Sequence, residues 1–358
     1  APGSELIAGK RLIKSKGLSF SSFFGGEAFS SSSTLDSRSF VECDTCKHFF
    51  VVPPTVNEMP CPVCGTPSFR KAPATDNELI HTKTNYVRYG VLPKGFRVDY
   101  LEDQPYAPNK IDRDALSTAF YASLQTEPSA FVHVIPDILR IATTQSATFY
   151  AINKGPMGQG YVICPACGRS VPKHQYKPED FKNHTRLYSD KPCKSNVSPL
   201  IRNLMAEFIT DAIQIRFSKD FIPLTQSDVF MKTFGRCLQL AASKFLGIDD
   251  RELRFLVQAY FDPETSTWNN QEIVLYDDVP GGAGYSEMIR SLFGHPRFYS
   301  YLLEATECPD KCDASCPACL ITYEQDEADK QIYNRHLVRE FLEREDIKGY
   351  FDNYIGSV

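Results

Sequence analysis

The distribution of cysteine constrains the fold of this chain more than any other feature. Eleven of the twelve cysteines fall into three local groups, and each group contains a Cys-x-x-Cys pair. Disulfide frameworks are typical of secreted domains shorter than about 100 residues, whereas this chain has 358. Reduced thiolates that hold metal explain the pattern better. We therefore expect a cytoplasmic protein with three structural zinc ions.

The first group contains two Cys-x-x-Cys turns separated by a short apolar segment. A turn of this kind lets two thiolates reach one ion, and two turns complete a tetrahedral shell of four sulfurs. The apolar letters HFFVV predict a strand between the turns, as in a zinc ribbon. Redox pairs are the alternative. His48 lies nearby, but four sulfurs already complete the shell. The expected ligands are Cys43, Cys46, Cys61 and Cys64.

The second group supplies three sulfurs and needs a histidine. Cys164 and Cys167 form the turn, and Cys193 provides the third sulfur. His174 and His184 both lie between them, and we favour His184 because its nine-residue spacing to Cys193 closes a compact second half. A surface Cys-x-x-Cys turn beside an unrelated histidine is the alternative.

The third group is compressed into twelve residues, which suits one ion wrapped by a single loop. An iron–sulfur cluster is the competing interpretation, since thiolates also hold iron. Cys237 stands apart on an apolar stripe with helical spacing and is expected in the core. The expected ligands of the third ion are Cys308, Cys312, Cys316 and Cys319.

The letters Asp-Glu-Ala-Asp at 326–329 match the string of a DEAD-box motor, but the context differs. A nucleotide-driven motor needs a phosphate-binding loop of the G-x-x-x-x-G-K-[ST] type, and the single Gly-Lys pair, Gly9-Lys10, lacks that pattern. The acidic letters precede an amphipathic helical pattern rather than ending an apolar strand. We expect no ATPase activity from this chain.

The charge balance limits how the chain could contact nucleic acid. The formal net charge is −5, so phosphate contacts require a local basic patch. An ordinary solvated basic stretch is the alternative for the segment KRLIKSKG. No apolar run is long enough for a membrane span. The chain begins without Met, and we expect a piece of something longer. The candidate contacts are Lys10, Arg11, Lys14, Lys16, Arg88, Lys94 and Arg97.

The remaining patterns predict an α/β fold, a mixed sheet with flanking helices that carries small zinc-ribbon and zinc-knuckle modules. The letters ATFYAINKG and GYVICPACG predict a hairpin, and residues 198–208 predict a helix. Residues 226–246 predict a long helix between two strands. Strand–helix–strand order of this kind implies a sheet with parallel neighbouring strands. The expected division is N-terminal strands and a Ser-rich loop at 1–40, a ribbon at 41–70, an irregular connector at 71–110, and an α/β domain at 111–358 with a knuckle insertion around 161–195.

A glycine loop follows the last predicted strand, in IVLYDDVPGGAGYSEMIRSLF. Gly281, Gly282 and Gly284 allow close backbone approach, and a helix start favours anions. They are therefore candidate nucleic-acid contacts, although physical grounds alone favour the alternative, a sharp turn that needs positive φ. Asp211, Asp277 and Asp278 could converge on magnesium, so a metal-dependent nuclease centred on the 276–284 loop is the alternative function.

The motif LYDDVPGGAGY, followed about twenty residues later by CPDKCDASCPACL, resembles the MrfA-like zinc-binding C-terminal domain. That family occurs in superfamily-2 DNA helicases and in prokaryotic phage-defence companions of the DISARM DrmB and Druantia DruE type. The resemblance implies zinc at the third cysteine group, and a helicase motor in cis or on a separate subunit. It also implies single-stranded or tailed duplex DNA as partner, in DNA repair or antiviral defence. A docking scaffold that binds only a motor is a further alternative.

Overall fold

The structure is a computed structural model. It describes residues 5–8, 11–19, 37–69, 85–93, 95–101, 118–123, 131–135, 138–186, 191–193, 198–218, 227–262, 267–279, 281–293, 295–322 and 332–355. The acidic letters at 326–329 lie outside these ranges. Within them, no helix is both long and apolar enough to cross a membrane.

Sixteen strands are present in the described ranges. In chain order they are β1 Glu5–Ala8, β2 Arg11–Ser19, β3 Ser37–Glu42, β4 Phe49–Val52, β5 Ser68–Phe69, β6 Asn85–Tyr86, β7 Arg88–Val91, β8 Gly95–Leu101, β9 Thr118–Ser123, β10 Val132–Ile135, β11 Leu139–Asn153, β12 Tyr161–Ile163, β13 Ser170–Pro172, β14 Leu200–Phe217, β15 Leu253–Asp262 and β16 Thr267–Asp277.

Two long antiparallel strands, β11 and β14, form the axis of an 11-stranded mixed sheet. Strands β9 and β10 pair with β11, while β16 pairs with β14 and continues into β15. The ribbon strands β3 and β4 join through β7, which runs parallel to β14. Strands β1, β2 and β8 form a separate three-stranded antiparallel sheet, and β5 and β6 pair in parallel.

The described helices are α1 Glu179–Lys182, α2 Asp228–Leu246, α3 Tyr285–Leu292, α4 Pro296–Ala305, α5 Arg335–Leu342 and α6 Glu345–Ile355. Helix α2 begins where the Ser227 hydroxyl accepts the backbone N–H of Phe230, and it ends at Gly247 in the left-handed conformation. Its apolar face packs against β14, β15 and β16 in the main core. Phe217 of β14 lies 5.3–5.6 Å, ring centre to ring centre, from Phe230, Phe234 and Phe341.

Three expectations about secondary structure and topology are wrong. Residues 198–208 contain the start of β14 rather than a helix, because pairing with β11 and β12 outweighs the helix propensity of Leu, Met, Ala and Glu. The strands on either side of α2 do not form a parallel pair: β14 pairs antiparallel with β16, which pairs antiparallel with β15. β11 and β12 do not form a hairpin either. Both pair with β14, so the segment 154–160 is a loop between two collinear strands.

Candidate metal centres and an adjoining basic module

Three Cys-x-x-Cys turns share one backbone geometry. In each, the residue four positions after the first cysteine has a positive φ and donates its N–H to that cysteine's carbonyl oxygen: Lys47, Gly65 and Gly168, with N···O distances of 2.7, 2.9 and 2.9 Å. Left-handed backbone favours glycine at such a position. The turn directs both thiols towards the same point, which is the geometry of a zinc knuckle.

The first cluster joins the two turns of the ribbon. The Sγ atoms of Cys43 and Cys64 are 3.4 Å apart, and those of Cys46 and Cys61 are 3.6 Å apart. All four ligand atoms lie within 4.8 Å of one another. His48 stacks on Phe50 instead of joining the sulfurs. Burial lowers the pKa of His48, so its imidazole is held towards the neutral form.

The second cluster brings His184 to three sulfurs. Its Nε2 lies 3.3 Å from Cys167 Sγ, and Cys164 and Cys193 complete the group. Its Nδ1 lies 2.9 Å from the Phe181 carbonyl oxygen and donates to it, which leaves Nε2 free to bind a metal. His174 is exposed in a short 3-10 turn away from this group.

The third cluster is a loop between α4 and the final helices. The sulfur separations are 3.5 Å for Cys308–Cys316 and 3.7 Å for Cys312–Cys319. Buried Arg236 of α2 holds the end of this loop by donating to the carbonyl oxygen of Leu320, at 3.1 Å. The loop is therefore anchored directly to the main core.

These donor sets fit zinc. Zinc–sulfur bonds of about 2.3 Å in a tetrahedron put sulfurs roughly 3.8 Å apart, and the shortest separations in the three clusters range from 3.4 to 3.9 Å. This spacing suits a single ion rather than a larger iron–sulfur cluster. Hydrogen bonds from neighbours lower one thiol pKa in each cluster: Cys61 to about 5 through Cys46, Cys164 to about 4 through Cys167, and Cys308 to about 6 through the Cys312 backbone. Thiols so close cannot all ionise without a cation, and a zinc ion supplies that charge.

The acidic residues of the glycine loop support the backbone of that loop. Asp277 is fully buried; its Oδ2 accepts the N–H groups of Ala283 and Tyr285, at 2.7 and 3.1 Å, and its Oδ1 accepts the Ser286 hydroxyl at 3.0 Å. Asp278 pairs with Arg254, their closest atoms 2.6 Å apart.

Asp211 lies beside the glycine loop, and its Oδ1 accepts the N–H of Ser146. A Cβ on Gly282 would lie 2.6 Å from the other carboxylate oxygen of Asp211, so that carboxylate would have to move, and the positive φ of Gly282 also favours glycine. Among the residues described, the three cysteine clusters are the groups whose ligand atoms converge, and these carboxylates are not among them.

The predicted nucleic-acid contacts are distributed unevenly. Lys10 and Lys94 lie outside the described residues, and the backbones of Arg11, Lys14 and Lys16 lie on β2 and that of Arg97 on β8. Arg88 is exposed on β7. A Cβ on Gly281 or Gly284 would meet no atom within 4 Å, although the positive φ of both residues favours glycine, whereas Gly282 abuts a carboxylate. The predicted contact residues on β2 and β8 therefore lie on paired strands, with Gly17 opposite Arg97. The glycine loop is not part of this strand pair.

A basic module surrounds the second metal cluster, and the sequence analysis missed it. Residues 161–195, here called the basic knuckle, contain seven Lys and Arg and three Asp and Glu, a net +4 in a chain of −5. Five of these cations are exposed, and none pairs with an acidic side chain that the structure describes. In the sequence these cations are separated by metal ligands and turn residues, so they do not form a continuous run of charge. The exposed cations are Lys173, Lys177, Lys182, Arg186 and Lys191.

The three-stranded sheet docks onto the basic knuckle. Leu18 of β2 donates its N–H to the Gly168 carbonyl oxygen at 2.9 Å, and Gly17 bridges to Arg169. A Cβ on Gly168 would lie 2.2 Å from the Leu18 carbonyl oxygen. The backbone of β2, a strand that contains three basic residues, therefore adjoins the basic knuckle.

Comparison with known proteins finds a family model that matches the part of the chain containing the third cluster. Residues 234–320, which include most of α2, the glycine loop and the four cysteines, match the family described as the MrfA Zn-binding domain. The Druantia protein DruE of Escherichia coli (strain UMEA 4076-1) is 24% identical over 348 residues, covering 89% of this chain and 17% of its own length. This chain therefore spans about a sixth of that relative.

A solved structure is also similar, the crystal structure of the DUF1998 helicase MrfA bound to DNA. The similarity covers 95% of this chain and 38% of that chain, with 14% identity and a TM-score of 0.35. Together with the motif and the cluster geometry, the family match shows that the chain carries an MrfA-like zinc-binding domain.

Proposed function

We propose that this chain is a zinc-stapled accessory region of a DNA helicase or of an anti-phage defence complex, and that it contacts DNA through the basic knuckle. One observation carries the proposal: exposed cations, none of them paired with an acidic side chain among the described residues, surround a metal cluster in an otherwise acidic chain. Three thiolates, a neutral histidine and one zinc ion add about −1, so the metal-loaded module keeps its positive charge.

Strand β2, which contains further basic residues, lies beside the basic knuckle. The backbone contacts of Gly17 and Leu18 place the strand that bears Lys14 and Lys16 beside the module. Contacts from lysine and arginine to phosphates carry no sequence information, so they would position a strand rather than select a sequence. Nucleotide hydrolysis would belong to a motor in cis or on a separate subunit, since this sequence has no phosphate-binding loop of the G-x-x-x-x-G-K-[ST] type.

The three zinc ions act as structural staples in this proposal. The proposed ligands are the four sulfurs of the first cluster, Cys164, Cys167, His184 and Cys193 in the second, and the four sulfurs of the third. Each set completes a tetrahedron and keeps no open position for a reacting water. The fully engaged carboxylate of Asp277 also argues against a nuclease centred on its loop.

The test mixes metal-loaded protein with labelled single-stranded, duplex and tailed DNA at two salt concentrations, with and without magnesium. Binding and cleavage are scored in the same samples. We expect binding that weakens with salt and no cleavage. Absence of binding to all three DNAs would refute the DNA contact and favour a scaffold that binds only the motor. Magnesium-dependent cleavage would instead restore the nuclease alternative.

A further inference from the structure

The loop between β11 and β12 is compact and projects from the edge of β14 with which both strands pair. β11 ends with Asn153 opposite Leu204, and β12 starts with Tyr161 opposite Arg202. The seven residues between them leave the sheet and return, and the N–H of Gly160 donates to the Lys154 carbonyl oxygen across the base of the loop, at 2.5 Å.

The apex of this loop is a tight turn with an unfavourable residue in it. The Gln159 N–H faces the Pro156 carbonyl oxygen at 3.4 Å, and the two central residues, Met157 and Gly158, have φ of 57° and 67°. A turn with two positive φ values is of type I′ and favours Asn, Asp or Gly at both central positions. A methionine there is strained, and strained non-glycine residues cluster at functional sites.

The Met157 side chain gains nothing from burial that would offset this strain. It is 68% exposed, the most exposed of the large hydrophobic residues described. The loop below it is rigid, because Asn153 Oδ1 accepts both the Gly155 N–H at 2.9 Å and the Tyr161 hydroxyl at 2.7 Å. A flexible apolar side chain is therefore held away from the protein on a fixed support.

Cationic and aromatic side chains adjoin the loop. The Lys173 N–H donates to the Gly160 carbonyl oxygen at 3.0 Å, so the first exposed cation of the basic knuckle directly adjoins the loop. On the β14 side, the Arg202 guanidinium stacks over Tyr89 at 4.8 Å. Phosphate-binding cations beside a protruding methionine form the arrangement with which proteins insert an apolar wedge between bases.

We propose that Met157 is a base-contacting wedge, which inserts between or against bases at the junction of single- and double-stranded DNA while the basic knuckle holds the phosphates. This inference rests on the proposed DNA contact and adds a specific role to it. Binding strength comes from the cations, and the local unstacking of bases comes from Met157. The two contributions can therefore be separated by mutation.

The experiment uses tailed duplex DNA with 2-aminopurine, a base whose fluorescence rises on unstacking, at the junction. We expect the wild-type protein to raise the fluorescence, and Met157→Ala and Met157→Asn to lose at least half of that rise at saturating protein. Affinity should stay within about twofold, because no phosphate contact is lost. Met157→Asn should also keep or raise the melting temperature, since Asn tolerates a positive φ. Met288→Ala, which truncates an exposed methionine on α3, is the matched control and should retain the full signal.

The outcomes separate the two proposals. If the wild-type protein binds and raises the fluorescence but the Met157 variants retain the full signal, the wedge is refuted and the DNA contact stands. Binding without any wild-type fluorescence change refutes the wedge in the same way, and would fit a loop that contacts a protein. Absence of binding refutes both proposals.

Discussion

Replacing Gly168 with Ala should destabilise the protein far more than the same change at Gly65. The two glycines occupy the same position in two zinc knuckles, with φ of 78° and 73°, so each substitution should cost about 1–2 kcal/mol in left-handed backbone strain. They differ in their neighbours. A Cβ at Gly65 meets nothing within 4 Å, whereas at Gly168 it lies 2.2 Å from the Leu18 carbonyl oxygen.

The extra cost at Gly168 follows from the contact that must open. Strand β2 has to move, and the Leu18-to-Gly168 hydrogen bond and the Gly17–Arg169 bridge weaken with it. These two contacts, at about 0.5–1.5 kcal/mol each, add to the backbone strain, so we expect a total of about 2–5 kcal/mol for Gly168→Ala. Urea denaturation of both variants, with zinc content measured by elemental analysis, tests this difference. Equal losses of unfolding free energy in the two variants would refute the docking of β2 on the knuckle.

Three further predictions concern the other sites. Gel-filtered protein should contain three zinc ions by elemental analysis, and Cys164→Ser should contain two; an unchanged count would contradict the second site. Arg236→Met should lower the free energy of unfolding by about 2–4 kcal/mol, because the buried guanidinium holds the Leu320 carbonyl oxygen. It should also speed zinc release to a chelator from the third cluster, and an unchanged release rate would argue against that anchor. Asp277→Asn should cost about 1–3 kcal/mol in urea denaturation, because one of its oxygens accepts two backbone N–H groups. Wild-type stability in that variant would show that the carboxylate does not support the loop.

The metal clusters and the α/β class could be anticipated because their signals are local. Cys-x-x-Cys spacing specifies a turn by itself, and the periodicity of α2 places Cys237 in the core, where it is fully buried. Residues 198–208 show the limit of such reasoning. Their composition favours a helix, but pairing with distant strands makes them part of β14.

The basic knuckle and the Met157 turn could not be anticipated from sequence patterns alone. The cations of the knuckle alternate with metal ligands and turn residues, so they form no charge run, and their exposure depends on how the cluster folds them outward. The segment GPMGQG indicates a turn, but the turn type, and hence the strain at Met157, depends on the collinear pairing of β11 and β12 with β14. Both features arise from contacts between segments that are distant in sequence.

The salt dependence of duplex DNA binding tests most directly whether the basic knuckle contacts DNA. The logarithm of the association constant should fall linearly with that of the salt concentration, and each lost phosphate contact should reduce the slope by about 0.9. Lys177→Ala combined with Lys182→Ala should weaken binding and flatten the slope, while Lys348→Ala, an exposed lysine on α6, should leave both unchanged. A wild-type slope in the double variant would contradict DNA contact through the basic knuckle.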